Sequence, residues 1–590
     1  MILRPVKLAG KPYEIHLLAV IVLYVLGFVV YLNSFPVPFV FDDHPNIRDN
    51  PSIRLTAIGF EGLHTAAFES HIGQRPVTNI SFALNYLAGG YDVKGYHLVN
   101  ILIHIVNGLL VYFLALILLR RDQTLARRKP ASERRLHLAA LFAAAIFIAH
   151  PAQTQAVTYI VQRMTSMATM FYLMSLLFYL LGRRRKRRSG RSAYWLAALA
   201  SWLLALGSKE IAATLPVVIV LIEYLFFRDR GKAWPGIGPG YLLFALAASA
   251  GVVLFYLGTE PVATIAGQYV DRDFSPVERL LTEFRVLVFY LSLMLFPYPG
   301  RLSLEHTFTI SHSLVDPITT LAAAVILVAL LFAALRLARR HPILSLCIFW
   351  FLITLSIESS IVGLELAFEH RLYLPMFAFA LAVAYLFSLT PARHRAVVTM
   401  LAGTLVVMLV AASVVRNMVW QDREALWADA VSKNPTSHRA RNNLGRVLTE
   451  QGKREQAARQ FGAAIEIKPD YAEPHNNLGT LHAQAGRFEE AQAHFTTAID
   501  LNPRYAQAYN NFGVALLSQG LAYQAALRLS QAVRLAPGYA NAHANLSTAL
   551  TRLGQPQAAC RQLRIAIRLD PTVPHRQAAL AGCQTDSNTN

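Results

Sequence analysis

The stretch "HLLAVIVLYVLGFVVYLNSFPVPFVFDD", residues 16–43, is an apolar run that ends in two adjacent carboxylates, Asp42 and Asp43. A membrane-spanning helix needs about 20 apolar residues, so the run predicts a span over residues 16–34. No small-residue cleavage site follows it, and we therefore expect an anchor that is retained. Three basic residues precede it: Arg4, Lys7 and Lys11. By the positive-inside rule, they place the N-terminus in the cytoplasm and the two aspartates outside.

The composition extends this interpretation to much of the chain. Of the 590 residues, 54% are hydrophobic, and the mean hydropathy is +0.37, which is too apolar for a soluble protein of this length. The net charge is +20. Because the basic residues fall in short clusters between apolar runs, we interpret them as topogenic charges and expect no nucleic-acid partner.

The apolar runs and the basic clusters predict a membrane domain over residues 1–415, with about eleven spans and its C-terminal end outside. The predicted spans are 16–34, 98–119, 136–149, 164–182, 193–207, 211–227, 240–258, 317–335, 342–357, 372–389 and 396–415. One further apolar segment, residues 281–297, carries Glu283 and Arg285. We predict that it forms a re-entrant or surface-lying helix within an external region, residues 259–316.

On this topology, a set of ionisable residues from separate segments falls on the external face. Its members are Asp42, Asp43, Arg75, His97, His104, His150, Arg163, Lys209, Glu210, Glu369, His370 and Arg371. Ionisable groups at membrane depth are costly and commonly line a cavity or a site, so the set predicts a functional site. The alternative is ordinary interfacial anchoring and helix capping.

The C-terminal part repeats with a period of 34 residues. Four sets of positions carry the period: Leu444, Leu478, Phe512 and Leu546; Gly452, Gly486, Gly520 and Gly554; Ala457, Ala491, Ala525 and Ala559; Pro469, Pro503, Pro537 and Pro571. This period, with small residues at helix crossings and a proline at the end, is the tetratricopeptide (TPR) pattern. It predicts four repeats, 437–470, 471–504, 505–538 and 539–571, after a half-repeat junction at 416–436. We expect residues 572–590 to be a capping helix and a disordered tail.

One asparagine recurs in the first helix of every repeat: Asn443, Asn477, Asn511 and Asn545. An amide offers both a donor and an acceptor, so a ladder of amides on the concave face suits an extended peptide. The alternative is that asparagine fills a polar structural position of the repeat.

The chain resembles the TMTC family, the transmembrane and TPR-containing protein O-mannosyltransferases, as a bacterial-type member. The stretches that carry the resemblance are "FDDHPNIRDNPSI" (41–53), "RPVTNISFALNY" (75–86), "YHLVNILIH" (96–104), "AHPAQTQAVTYIVQR" (149–163), "GSKE" (207–210) and "EHRLYLP" (369–375). The resemblance implies an all-α chain with a polytopic GT-C-like glycosyltransferase domain followed by a TPR solenoid. It also implies transfer of a sugar, mannose in the family, from a polyprenyl-phosphate carrier to Ser or Thr of a protein.

For this reaction, one of Asp42 and Asp43 is expected to be the general base, and the other to orient the acceptor or bind a cation. The departing lipid phosphate needs cations and donors. The candidates are Arg75, His97, Arg163, Lys209, His370 and Arg371, with Glu210 and Glu369 orienting them or contacting the sugar. We expect no obligatory metal, although a divalent cation at Asp42 and Asp43 is the alternative. The four asparagines would bind the acceptor protein.

Two other functions fit parts of the sequence. A non-catalytic membrane scaffold for secretion or pilus assembly would not need the two aspartates. A lipid-linked-sugar transporter would show internal symmetry among its spans. The expected location is the bacterial inner membrane with the site and the TPR array in the periplasm, or the endoplasmic reticulum with a lumenal array in a eukaryote. In either oxidising compartment Cys560 and Cys583 could pair.

Overall fold

The computed structural model describes residues 12–70, 73–122, 133–185, 187–227, 239–270 and 272–570. Within these residues the chain consists of helices and loops, without a β-strand, which confirms the all-α prediction. The chain divides into two compact units, Met1–Leu426 and Trp427–Asn590. The predicted cap and tail (572–590), and with them Cys583, lie outside the described residues, so the disulfide stays a prediction.

The first unit is a bundle of helices, several of them long and apolar. They are α1 Pro12–Tyr31, α2 Phe60–Phe68, α3 Pro76–Gly89, α4 Val93–Arg121, α5 Glu133–Ala149, α6 Thr154–Thr158, α7 Arg163–Arg183, α8 Arg188–Leu206, α9 Leu215–Phe226, α10 Pro239–Leu257, α11 Pro261–Gly267, α12 Pro276–Leu295, α13 Thr319–Leu337, α14 Pro342–Leu355, α15 Met376–Ser388 and α16 Arg395–Trp420.

Six of the described helices are long and apolar enough to cross a membrane, or seven if a bent pair forms one span. The six lie at α1, α4, α7, α10, α13 and α16, and the bent pair joins α5 to Pro151–Thr158 with a 52° bend. The chain is therefore an integral membrane protein. Each of the eleven predicted spans overlaps a helix, but the count of eleven is not confirmed, because α14 and α15, for example, are shorter.

The core of this unit lies where α4, α5 and α15 pack together. Alanines on α5, including Ala139, Ala140 and Ala143, are completely buried there. Gly108 of α4 lies directly against the Ile148 side chain, so even a methyl group at this position would collide with it. Small residues let apolar helices approach closely, which is the usual basis of helix packing in membranes.

The apolar segment that carries Glu283 and Arg285, residues 281–297, lies mostly within α12, which does not qualify as a span by length and composition. Ser275 and Glu278 make a reciprocal capping box at its N-terminus. Arg279, one helical turn before Glu283, balances its negative charge. The Arg279 guanidinium lies 3.0 Å from the Glu283 carboxylate in a buried ion pair. The placement of α12 relative to the bilayer stays a prediction.

The second unit consists of paired helices with the predicted 34-residue period. Helix α17, Arg423–Lys433, precedes four pairs: α18 His438–Glu450 with α19 Arg454–Ile467, α20 Ala472–Gln484 with α21 Phe488–Leu501, α22 Ala506–Ser518 with α23 Ala522–Leu535, and α24 Ala540–Arg552 with α25 Pro556–Leu569. The turn between paired helices requires a left-handed residue, and the periodic glycine supplies it, as Gly486 does at φ 74°. Within the second pair, a Cβ on Gly479 would lie 2.9 Å from the Phe495 ring, so glycine sets the close approach of the two helices.

Candidate active site

The two aspartates after α1 differ in their surroundings. Asp43 is completely buried, and its two carboxylate oxygens accept hydrogen bonds from the backbone N–H groups of Val40 (2.9 Å) and Val161 (2.7 Å). Burial raises the pKa of the Asp43 carboxyl well above its usual value, although the two donors oppose this rise. Asp42 remains partly exposed. Of the two carboxylates, Asp42 is therefore the more exposed.

Asp42 is oriented by a buried phenol. Its backbone N–H donates to the Tyr159 hydroxyl at 2.7 Å, and its carboxylate lies against the same hydroxyl. Burial, reinforced by the two carboxylates, raises the pKa of Tyr159 well above its usual value, so the hydroxyl keeps its proton and donates it to Asp42. Phe41, directly before Asp42, has a φ of 44°, in the left-handed region that bulky residues rarely occupy. Such backbone strain is concentrated at functional sites.

Tyr159 belongs to the buried connector, residues 151–165, which links α5 to α7. Every side chain of the connector is buried. It holds the Asp43 carboxylate through Val161, and at another point the Gln155 amide oxygen accepts the backbone N–H of His370 at 2.7 Å. The connector therefore joins the aspartate loop to the segment that carries the predicted "EHR" residues.

A buried carboxylate that sequence reasoning missed, Glu358, organises the predicted cations. Its Oε1 atom lies 2.7 Å from the Lys209 ammonium and 3.8 Å from the Arg371 Nε atom. Lys209 also donates to the Thr165 hydroxyl of the connector at 3.2 Å. All three charged side chains are at least 95% buried. A buried charge is tolerated when it is paired, which explains why these residues occur together.

A second ion pair at the edge of this group involves Arg75. Its guanidinium donates two hydrogen bonds to the Glu210 carboxylate, at 3.2 and 3.1 Å, and contacts the Met164 sulfur of the connector. Although burial raises the pKa of Glu210, the Arg75 and Lys209 charges together hold it below its usual value. Arg75 and Glu210 both remain partly exposed, so they are accessible to a ligand.

His370 lies among these cations. Burial, followed by the charges of Lys209, Arg371 and Arg75, lowers the pKa of His370 well below its usual value, so its ring is neutral at pH 7. Its Nδ1 atom is buried and makes no hydrogen bond within the described residues. The neighbouring Glu369 accepts the Ser303 backbone N–H at 2.5 Å with one oxygen, and its second oxygen is likewise buried without a partner there.

Cations and carboxylates are closely balanced in this part of the unit. Beside the buried Glu369 carboxylate, four cations face three further carboxylates: Arg75, Lys209, Arg279 and Arg371 against Glu210, Glu283 and Glu358. Burial raises the pKa of the Glu283 carboxyl to about 7, so part of the negative charge is lost near neutral pH. When Glu283 is protonated, the arrangement can therefore accept one added anion without a net charge penalty. We refer to these seven side chains as the anion site.

Two predicted donor-binding residues, Arg163 of the connector and His97 of α4, make contacts that hold the fold. Arg163 is completely buried and donates to the Asn100 side chain at 2.7 Å, the Ser81 hydroxyl at 2.9 Å and the Tyr96 carbonyl at 3.0 Å. His97 is also buried, and its Nε2 atom donates to the Val37 carbonyl at 2.8 Å. These donors are used within the protein, which supports structural roles for both residues, and their contact with a lipid phosphate stays a prediction.

The structure also limits the proposed cation site. Both oxygens of the buried Asp43 accept backbone N–H groups, whereas Asp42 is partly exposed. No group of three or more metal-ligating residues occurs within the described parts of the chain. A divalent cation at the pair stays a prediction.

The asparagines of the second unit connect successive repeats. The Nδ2 atoms of Asn477, Asn511 and Asn545 each donate to the asparagine at the preceding position of the repeat before. The three acceptors are Asn442, Asn476 and Asn510, at 2.9, 3.0 and 2.8 Å. One donor of each amide is thus used inside the solenoid, which supports the structural alternative. Peptide binding through the remaining amide groups stays a prediction.

Replacing Asn511 by alanine is expected to destabilise the second unit by about 1–3 kcal/mol, because the buried Asn476 oxygen loses its donor. The measurement is the rate of limited proteolysis of the second unit within the full chain at increasing urea. Gln492→Ala, at an exposed position of α21, is the matched control. Equal proteolysis of the two variants would show that the inter-repeat bond contributes nothing.

Known proteins are similar in sequence to the membrane unit and to the repeat unit. A family model described as "TPR repeat" matches residues 445–486 and 481–520. Solved structures of pilF from Pseudomonas aeruginosa (24% identity, 25% of this chain, 68% of that chain, TM-score 0.25) and of TTC0263 from Thermus thermophilus (20%, 31%, 96%, 0.26) are similar to part of the chain. At these TM-scores neither structure informs its function.

Curated relatives match both units in sequence. The chain is 25% identical to protein O-mannosyl-transferase F38B6.6 of Caenorhabditis elegans, over 80% of this chain and 65% of the relative. It is 26% identical to Tmtc3 of Drosophila melanogaster (77% and 56%) and 27% identical to TMTC4 of Homo sapiens (74% and 64%), which carry the same protein name. The matches thus span between half and two thirds of the relatives' own length. They confirm the similarity to the TMTC O-mannosyltransferase family that the sequence motifs predict.

Proposed function

We propose that this chain is a membrane glycosyltransferase that moves a sugar, mannose in the first instance, from a polyprenyl-phosphate carrier to a Ser or Thr hydroxyl of a protein. One observation carries the proposal: the buried connector holds a partly exposed carboxylate, Asp42, through Tyr159, and contacts the anion site through Thr165 and Met164. The printed names of the curated relatives support the same activity.

The reaction requires a base and a group of cations that stabilises the departing anion. Asp42 supplies the base, and the anion site supplies the cations. The acceptor oxygen attacks the anomeric carbon while the bond from that carbon to the phosphate oxygen breaks, and Asp42 takes the hydroxyl proton. The departing lipid phosphate gains negative charge, which the Arg75, Lys209 and Arg371 cations stabilise without reorganising. His370 Nδ1, buried without a partner in the described structure, is placed among these cations to hydrogen-bond the donor.

The lipid chain and the acceptor protein complete the proposal. The carrier's polyprenyl chain would lie along apolar helix surfaces, such as the exposed side chains Tyr24, Val25 and Val29 of α1. The TPR unit would bind the acceptor protein. The site would face the periplasm of a bacterial inner membrane, as the basic clusters predict.

The test is transfer of radiolabel from a panel of polyprenyl-phosphate sugars to protein, in membranes that contain the full chain. We expect incorporation from at least one donor, with polyprenyl-phosphate mannose the first choice, and release of the label by base, as from a Ser or Thr linkage. Asp49→Asn, an exposed carboxylate in the same loop, should transfer at the rate of the unaltered protein. No transfer from any donor, with a peptide acceptor library supplied, would favour the scaffold function.

A further inference from the structure

A second set of charged residues lies at the opposite end of the first unit. Helices α4 and α7 begin beside the candidate active site and end at Arg121 and Arg183. Because a helix rises about 1.5 Å per residue, these ends lie about 30–40 Å from their starts, the thickness of a membrane. Helix α9 runs the same way, from the Lys209 segment to Phe227.

At this end, guanidinium groups from different helices converge. The Arg121 and Arg183 guanidiniums lie 4.0 and 4.9 Å from the centre of the same Phe227 ring. Arg184 lies close enough to Arg121 to repel its charge. Arg185 donates to the Tyr194 hydroxyl at 3.1 Å and lies over its ring. We call Arg121, Arg183, Arg184 and Arg185 the arginine cluster.

Among the residues that the structure describes, the arginine cluster carries more positive charge than the nearby carboxylates balance. Glu223 is engaged by Arg183 at 3.0 Å and by the Tyr179 hydroxyl at 2.9 Å, and Asp122 directly follows Arg121 in the sequence. The guanidiniums of Arg121 and Arg184 make no hydrogen bond or ion pair with any residue that the structure describes. Arg121 is nevertheless partly buried. Topogenic charges need only lie on one side of the membrane, and nothing in that role requires them to converge on one aromatic ring.

We propose that the arginine cluster binds the phosphate of an anionic phospholipid headgroup. The cluster lies at the ends of membrane helices, at the depth of lipid phosphates, and basic pockets between helix ends are suited to such headgroups. Planar guanidiniums bind phosphate oxygens in pairs, and stacking on Phe227 fixes the plane of two of them. Tyr194 and Trp195, beside the cluster, are typical of the membrane interface.

The proposal is tested on the full chain in neutral detergent, titrated with phosphatidylglycerol and with phosphatidylcholine that carry the same oleoyl chains. Bound lipid is counted by native mass spectrometry. Each arginine beside an anionic headgroup strengthens binding about fivefold, so Arg121→Gln with Arg184→Gln should weaken phosphatidylglycerol binding about 25-fold. Binding of phosphatidylcholine should not change.

The matched control removes two arginines from the same end of the bundle, Arg336 and Arg339 beside the end of α13, where no such convergence occurs in the described structure. Arg336→Gln with Arg339→Gln should change phosphatidylglycerol binding less than about threefold, since neither residue belongs to the cluster. Equal loss in both double variants, or equal binding of the two lipids by the unaltered chain, would overturn the proposal. Displacement of lipid by millimolar inorganic phosphate, at constant ionic strength, would assign the cluster to a soluble anion instead.

The same experiment checks that both double variants are folded. Both double variants should elute as single species and melt within a few degrees of the unaltered chain. If the cluster variant does not fold, Arg184→Gln alone, at an exposed position, should still weaken binding about fivefold. Binding to the unaltered chain should also weaken as salt is raised, and salt-independent binding would contradict a headgroup phosphate as the ligand.

Discussion

Replacing Asp42 by asparagine is expected to lower the rate of sugar transfer by about 100- to 10,000-fold, the usual contribution of a general base. Asparagine keeps the size of the side chain and its contact with Tyr159 but cannot accept the proton of the acceptor hydroxyl. The Asp42 side chain is partly exposed, so the fold should be retained. The measurement is the initial rate of label transfer at saturating donor, at equal amounts of monodisperse protein.

Asp43→Asn provides the contrast that separates the roles of the two neighbours. Its new NH₂ group would face one of the two backbone donors, Val40 N–H or Val161 N–H, and that donor would lose its acceptor. We expect a loss of about 1–3 kcal/mol in the free energy of unfolding. A pattern in which Asp43→Asn folds normally and loses transfer, while Asp42→Asn keeps more than a tenth of the rate, would reverse the assignment.

Replacing Glu358 by alanine is expected to lower the free energy of unfolding by about 3–5 kcal/mol, because the buried Lys209 and Arg371 charges lose their carboxylate. Transfer should fall as well, since both cations would move. The measurement is resistance of the purified chain to unfolding by sodium dodecyl sulfate, together with the transfer rate. Glu61→Ala, at an exposed site on α2, should leave both quantities unchanged.

A double variant distinguishes the stabilising from the functional role of this pair. Glu358→Gln with Lys209→Met removes the carboxylate together with its closest cation, at 2.7 Å, while Arg371 keeps the hydrogen bonds that it donates to the Leu366 and Glu365 carbonyls. Stability should recover by more than half relative to Glu358→Gln alone, while transfer remains low because a cation of the anion site is missing. Additive losses of stability would mean that Lys209 and Glu358 are not coupled, and recovery of transfer would remove Lys209 from the site.

The sequence predicts the repeat unit closely because its signal is local and periodic. Glycines such as Gly486 recur at the position where the helix must end in a left-handed turn, so spacing alone identifies the helix pair. The membrane helices are predicted for a similar reason, since each is an uninterrupted apolar run. The sequence does not predict the bend after α5. A proline at position 151 can stand in the first turn of a new helix or interrupt a continuous helix.

The candidate site is predicted in part. Motifs with several polar residues, such as "GSKE" and "EHR", indicate Lys209, Glu210, His370 and Arg371, and the structure brings these together. Glu358 is a single carboxylate in an otherwise unremarked loop, so only its burial beside Lys209 reveals it. The difference between Asp42 and Asp43 depends on backbone donors from another segment, Val161 above all, which no sequence pattern reports.

The buried connector has a consequence for how such a protein can change over evolutionary time. The base and the cations of the anion site both contact one stretch of fifteen successive residues, 151–165, through Tyr159, Met164 and Thr165. An insertion or deletion inside that stretch would shift Asp42 relative to Arg75 and Lys209, whereas insertions in the repeats would leave the length of the stretch unchanged. New acceptors are therefore acquired most readily by altering the repeats or the outer loops, with the length of this stretch held constant.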